Sequence, residues 1–196
     1  MAQGKDFYIP FQDGSGRIHG ICWEPEETPW AVIQVAHGMI EHIGRYEEFA
    51  QAMNRAGIAV IGHDHPGHGR TAKPGELGEF AEKNGVRRVN GAMAQVARFA
   101  KHKFQGIPHI LLGHSMGSFC LDAVLSRIME NGWTAQFSWE PEASRNHFCG
   151  WAEPSWQRQR GWKEEMDEMS GCTSWFLEAI TAILKKEKRN INGCRA

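Results

Sequence analysis

The sequence predicts an α/β fold, a doubly wound and mostly parallel sheet with helices on both faces, and three observations predict it. Short apolar runs with the make-up of buried strands alternate with segments of helical periodicity through the first 120 residues. The run Ile110-Leu111-Leu112 leads straight into Gly113-His114-Ser115-Met116-Gly117, whose glycines let a chain leave a strand and enter a helix within one tight turn. No repeat of fixed period competes with this reading, and no apolar stretch approaches the ~20 residues of a membrane span.

The elements follow in order. Phe7 to Gln12 and Ile18 to Trp23 flank Asp13-Gly14-Ser15-Gly16, a turn-rich break that predicts a hairpin. Ala31-Val32-Ile33-Gln34-Val35-Ala36 reads as a buried strand, followed by a loop and a helix over Tyr46 to Ala56. Ile58 to Gly62 is the next strand, ended by the loop His63-Asp64-His65-Pro66-Gly67-His68-Gly69. Gly91 to Lys103 has helical spacing, and His109 to Leu112 is a further strand. Strands separated by helices run parallel, because a crossover needs a dozen or more residues.

Composition bounds the function. A chain of 196 residues can bury one sizeable core. Lys+Arg 22 against Asp+Glu 23 leaves no basic excess with which to hold nucleic acid. The start, Met1-Ala2-Gln3-Gly4-Lys5-Asp6, has no apolar segment of the signal-peptide kind. Cysteines 22, 120, 149, 172 and 194 are odd in number and lack C-x-x-C spacing, which favours neither a disulfide framework nor a zinc ribbon. A cytoplasmic, reduced setting is the expectation.

Residues 1–120 and 121–196 do not match. Six of the eight Trp fall after residue 130, in a stretch without Val or Tyr. Trp133, Trp139, Trp151, Trp156 and Trp162 follow no period, and 158–168 carry charge without strand or helix patterning. Only Trp175 to Lys188 is periodic, with Phe176, Leu177, Ile180, Ile183 and Leu184 on one helical face. That face would suit transient contact with a membrane surface, but a chance pattern in so short a stretch is the preferred reading.

Acyl transfer needs an activated hydroxyl and preorganised donors for the oxyanion. A G-x-S-x-G that ends a strand offers both, with Ser115 exposed at the turn and the Met116 N–H behind it. A second donor is expected in the loop after Val35-Ala36, where His37-Gly38-Met39 makes the Met39 N–H the candidate. His37-Gly38 alone would be an ordinary polar strand end; with Ser115 downstream it reads as an oxyanion loop. His63, His65 and His68 invite a zinc reading, but the acid that an H-x-H-x-D-H loop needs is replaced by Gly67. A structural turn, with glycines at positive φ and histidines bonded to loop carbonyls, is the alternative. His114 is expected to pack rather than to act as a base, since it points away from its neighbour's hydroxyl.

His37-Gly38-x-x-Glu41-His42-x-x-Arg45-Tyr46, Asp64-His65-Pro66-Gly67-His68-Gly69, Gly75 to Gly85, and Gly113-His114-Ser115-Met116-Gly117 together resemble bacterial monoacylglycerol lipase and lysophospholipase-type hydrolases. These form part of the serine-aminopeptidase-like branch of the α/β-hydrolase superfamily. The resemblance covers about Phe7 to Phe119, the N-terminal half of an α/β-hydrolase fold. It implies a cofactor-free serine ester hydrolase acting on a small lipid ester, with Ser115 as nucleophile and Met39 and Met116 as oxyanion-hole backbones. Pro66 stands where that family often has Arg, and Ile40 where a small residue is common. The family's triad Asp and His both follow the elbow. Here only Asp122, Asp167 and His147 follow it; Asp122 is misplaced behind the nucleophile, and no base or orienting acid is assigned. A truncated, non-catalytic remnant is therefore the competing expectation, with a zinc-dependent hydrolase third.

The genetic code offers a reason for the tail. Codons built from the third base of one residue and the first two of the next force Asp at Trp133-Thr134 and Gly at Trp139-Glu140. They allow Leu-Asp-Gly-Ala-Ile-Leu-Leu-Gly-Thr-Gly across 132–142, which resembles the strand that follows the elbow in this family. The same frame forces Val at Trp175-Phe176, allows Val-Phe-Gly-Ser-Tyr-Asn across 175–181, and allows Trp-Leu-Ser-Arg across 192–196. The expectation is a one- or two-base insertion or deletion, or a sequencing error, between the codons for about Phe119 and Gly132, with the triad Asp and His supplied by the restored frame beyond the present stop. A further expectation is that His109 to Leu112 is left as an open parallel edge, so that the chain aggregates or packs loosely.

Overall fold

Among the described residues six strands make one sheet in the computed structural model, which describes residues 3–121 and the backbone of 135–139. The strands are β1 (Lys5–Pro10), β2 (Arg17–Trp23), β3 (Ala31–Ala36), β4 (Ile58–His63), β5 (His109–His114) and β6 (Ala135–Trp139). Their spatial order is β1-β2-β4-β3-β5-β6. β1 and β2 form the expected hairpin, closed by Phe11 N–H to Gly16 O at 3.0 Å and by Ser15 N–H to the Asp13 carboxylate at 2.9 Å. β2 is antiparallel to β4, whereas β4, β3, β5 and β6 run parallel.

A 3₁₀ turn (Ile43–Tyr46) feeds α1 (Glu47–Arg55), which leads into β4; α2 (Gly85–Lys103) leads into β5; and α3 occupies 116–121 of the described chain. α2 begins six residues before the sequence periodicity does. Its first turns carry exposed Val86 and Arg87, so no apolar stripe announces them, although Val89 is already buried.

Alternation along the parallel strands divides the core between two faces. Ile33, Val35, Val60, Ile110 and Leu112 point to the side covered by α1, against Tyr46, Phe49 and Met53. Val32, Ala59 and Ile61 point to the other side, where Ala100 of α2 and Phe104 meet them. Ala36 and Leu111 lie on that side too, against Met93 and Ala97 of α2 and Leu121 of α3. Every residue of β3, β4 and β5 is buried, as a parallel sheet covered on both faces requires.

The open edge expected at His109 to Leu112 is corrected by β6. Residues 135–139 pair in parallel with β5, from Ile110↔Ala135 to His114↔Trp139. The physical reason is local: Ala-Gln-Phe-Ser-Trp alternates apolar and polar residues, the period a strand needs, although its composition hid it among the tryptophans. The pairing predicts that the amides of β5 exchange with solvent hydrogen as slowly as those of β3. Exchange of the β5 amides at loop rates, with β3 protected, would show the edge to be open after all. Asp122, His147, Asp167 and the periodic segment 175–188 lie outside the described residues. Among the described residues no helix is long and apolar enough to cross a membrane.

Candidate active site

The sheet order creates a crevice at the carboxyl ends of β3 and β5. The chain leaves β3 toward α1 on one face and leaves β5 toward α3 on the other, so the loops after these neighbouring strands diverge. The register Ala36↔Gly113 brings loop 37–42 beside the turn that carries Ser115.

Ser115 occupies that turn with φ 49°, in the left-handed region where an L side chain is strained. The turn is locked from behind by Ser118, whose N–H donates to Ser115 O and whose hydroxyl donates to Gly113 O, both at 2.9 Å. Gly117 is needed for close approach: a Cβ there would sit 2.0 Å from the Ala36 carbonyl oxygen. α3 can therefore start directly against the end of β3. Met116 opens that helix, which leaves its N–H among the donors without an intrahelical partner.

Loop 37–42 is held by one carboxylate oxygen. Oε1 of buried Glu41 accepts the Gly38 N–H, the Tyr46 hydroxyl at 3.0 Å and the His114 Nδ1–H at 2.9 Å. Burial alone would raise the Glu41 pKa, but these bonds, His114 foremost, hold it below the ordinary carboxylate value. The Gly38 backbone is thus tied to the residue next to Ser115. Met39 stands at the exposed crest of the loop, 53% exposed. Ile40, noted from the sequence as unusually large, adopts φ 62° and is 88% exposed. A β-branched residue there carries roughly 1–2 kcal/mol of backbone strain. Ile40→Gly is therefore expected to raise stability by about 1 kcal/mol, the relief being partly offset by glycine's chain entropy. A drop in the urea midpoint would show that Ile40 is not strained.

Behind the loop lies a cluster of imidazoles. His37 donates Nδ1–H to the Gly38 carbonyl at 2.7 Å and accepts the His65 N–H on Nε2 at 3.0 Å, which fixes one neutral tautomer. His65 donates Nε2–H to the His37 carbonyl at 3.0 Å, and the two rings lie 4.1 Å apart. His68 donates Nδ1–H to Pro66 O at 3.0 Å. Burial pushes His37 and His63 well below the ordinary imidazole value and His65 down to about 4. The three histidines weighed as zinc ligands thus face different partners: His65 and His68 bond loop carbonyls, and neither ring nitrogen of His63 has a hydrogen-bond partner. Among the described residues no group of three or more His, Cys, Asp or Glu is placed to hold a metal ion.

Asp64, in the same motif, ties three segments together. It accepts Nδ1–H of His19 at 2.7 Å, the Ile43 N–H at 2.8 Å and the Arg70 N–H at 2.8 Å. Gly69, at φ 46°, leaves that carboxylate its space, since a Cβ would lie 2.2 Å from Asp64 Oδ2. Sequence reasoning missed Glu41 and Asp64 as anchors. Their signal was only an acid at a strand or loop end, which surface acids share.

Comparisons with known proteins agree with this geometry. The family described as serine aminopeptidase, S33, matches residues 27–132, more than half of the chain. The monoglyceride lipase of Rattus norvegicus is 38% identical over 116 residues, covering 56% of this chain and 37% of that protein. A monoacylglycerol lipase of Mycolicibacterium smegmatis is 36% identical over 108 residues, covering 53% of this chain and 35% of the other. The solved structure of a highly thermostable carboxyl esterase from Bacillus coagulans superposes with a TM-score of 0.63 at 25% identity, over 70% of this chain and 44% of that one. The chain thus spans little more than a third of the length of the two lipases. With a doubly wound sheet, a strained serine at its strand-to-helix turn and a family match across both, this chain belongs to the serine aminopeptidase S33 family of α/β-hydrolases.

Proposed function

We propose that the site is the acylation half of a serine ester hydrolase for monoacylglycerol or lysophospholipid-like substrates. The observation that carries the reading is the strained Ser115 beside a loop whose Gly38 is tied, through Glu41, to His114. In this reading the Ser115 hydroxyl attacks the ester carbonyl, and the N–H groups of Met39 and Met116 receive the oxyanion. The lipase relatives support a lipid ester as substrate. The reading requires no cofactor.

The proton acceptor is the missing part. No histidine in the described site suits the role: His37 and His65 are buried, neutral and bonded to backbone, and His114 is turned to Glu41. We propose that the chain passes out of frame between about residues 119 and 132 and that the in-frame sequence supplies the acid and the base. The family match ends at residue 132, where the composition changes. Two versions of the chain test this: the present one, and one read in the shifted frame from codon 132 onward. Hydrolysis of a monoacylglycerol by the shifted version is expected to be at least ~10⁴-fold faster, and to be abolished by Ser115→Ala. Brisk turnover by the present chain would overturn the frame proposal, and turnover that survives Ser115→Ala would overturn the nucleophile.

A further inference from the structure

Away from the elbow, a cleft of about 220 Å³ opens between the β1–β2 turn, loop 70–76 and the first turn of α2. None of its lining residues belongs to loop 37–42 or to the Ser115 turn. Four cations line it, Arg17, Arg70, Lys73 and Arg88, against one carboxylate, Glu76.

The chain answers only part of that charge. Arg70 pairs with Asp6, while Lys73 reaches Glu76 only at 3.8 Å. Neither Arg17 nor Arg88 makes a direct salt bridge to a carboxylate among the described residues, although Arg88 lies close enough to Asp13 to help the Ser15 hydrogen bonds hold that carboxyl below its ordinary value. The Arg17 guanidinium lies over the Tyr8 ring at 5.1 Å, and that of Arg88 over the Phe11 ring at 4.5 Å. Arg88 also donates to the Ser15 hydroxyl at 2.8 Å, and that hydroxyl in turn donates to Asp13. The Arg88 Nε–H is enclosed without a partner. Two guanidinium planes are thus braced against aromatic rings with donors unspent, the arrangement in which arginine loses least entropy on gripping an oxyanion.

The helix adds to the imbalance. The first turn of α2 has no acidic residue, and Asn84, at its cap, makes no side-chain capping hydrogen bond to it. Arg87 and Arg88 therefore stand at the positive end of the α2 dipole, where a cation is disfavoured unless an anion joins it. Thr71 lines the same cleft, its hydroxyl oxygen accepting the His19 N–H at 2.9 Å, while the Ser15 hydroxyl is already spent on Asp13.

We propose that this cleft binds a phosphate-type anion, carried either by a small phosphate ester or by the headgroup of an anionic lipid. Fork-shaped, charge-assisted donors favour a phosphate over a spherical halide. The proposal is independent of the ester-hydrolase reading, because it uses no residue of that site.

Calorimetric titration of the full chain with inorganic phosphate and with glycerol 3-phosphate tests it, with chloride at matched ionic strength as control. Sedimentation with phosphatidylcholine vesicles, with and without phosphatidic acid, separates the two sources. The expected result is saturable phosphate binding, weakened at least about tenfold by Arg17→Gln with Arg88→Gln, and changed less than about twofold by Arg55→Gln with Lys101→Gln. Tight binding of a soluble ester assigns the first source; vesicle binding that needs phosphatidic acid and exceeds soluble binding assigns the second. Lys73→Gln, at an exposed side chain, is the second variant should the arginine pair fail to fold, and it is expected to weaken binding about threefold. Absence of binding to both probes, or equal loss in the cleft and control variants, would overturn the proposal.

Discussion

Acidification from pH 7 to about pH 5 is expected to unfold the chain cooperatively, with an uptake approaching four protons. His37, His63, His65 and His109 are all depressed by burial, His65 to about 4 and His109 to about 3. The unfolded chain binds protons at these positions below the ordinary value of 6.5, whereas the folded chain refuses them until the depressed values are reached. Their contribution is full above 6.5 and is lost as pH falls through that value toward the folded ones. Each unmatched proton is worth ~1.4 kcal/mol per pH unit, so four give a slope of roughly 5 kcal/mol per unit. Between pH 7 and 5 the loss integrates to roughly 7 kcal/mol, which exhausts a stability at the lower end of the usual ~5–15 kcal/mol.

His19 has the opposite sign. Burial disfavours its charge, but the bonds to Asp64 and Asp6 outweigh this and raise its pKa. Its contribution is complete below 6.5 and is lost as pH rises through the folded value, so it adds no proton uptake on the acid side. The urea midpoint, followed by the fluorescence of fully buried Trp23, is the measurement. A midpoint that stays flat between pH 7 and 5 would show that these imbalances are absent. His63→Leu should flatten the slope by one proton, since that side chain alone of the three in its motif has no hydrogen-bond partner.

The second large effect is at Glu41. Glu41→Ala leaves the Gly38 N–H, the Tyr46 hydroxyl and the His114 Nδ1–H without their common acceptor. A buried donor left unpaired costs ~1–3 kcal/mol, so the loss is expected to be about 4 kcal/mol once some relaxation is allowed. Glu41→Gln keeps an acceptor oxygen and removes only the charge; a loss of about 1–2 kcal/mol is expected. If the alanine and glutamine variants unfold at the same urea concentration, the oxygen is not what holds the loop. On the proposed reading, Glu41→Gln in the shifted-frame version of the chain should lower kcat more than it raises KM, because a displaced oxyanion donor is felt in the transition state.

Much of the fold was legible because its strands bury both faces and therefore read as uninterrupted apolar runs. Ala31–Ala36 was bounded to the residue, while β4 and β5 were each found short by their terminal polar residues, His63, Gly113 and His114. Those residues are strand by backbone pairing but read as loop by chemistry. The helix expected over 46–56 contains α1, but the 3₁₀ turn before it was invisible, since Ile43-Gly44-Arg45-Tyr46 has no distinguishing pattern. β6 was missed because strand alternation over five residues is drowned by unusual neighbours. At the site, the Ser115 turn was readable from two glycines at fixed spacing. The Glu41 and Asp64 anchors were not, since nothing in a single acid says which backbone amides will meet it.

The strand order has a consequence for inheritance. β3 and β5 are neighbours in space, so the loop after one and the turn after the other meet within the first 117 residues. On the proposed reading, everything that handles the carbonyl oxygen is encoded upstream of everything that handles the proton. A lesion in the downstream part of such a gene can therefore silence turnover and leave the anion cradle intact, and a second lesion that restores the frame revives the enzyme with nothing upstream to repair. On that reading, a loss of this kind would be reversible in one step.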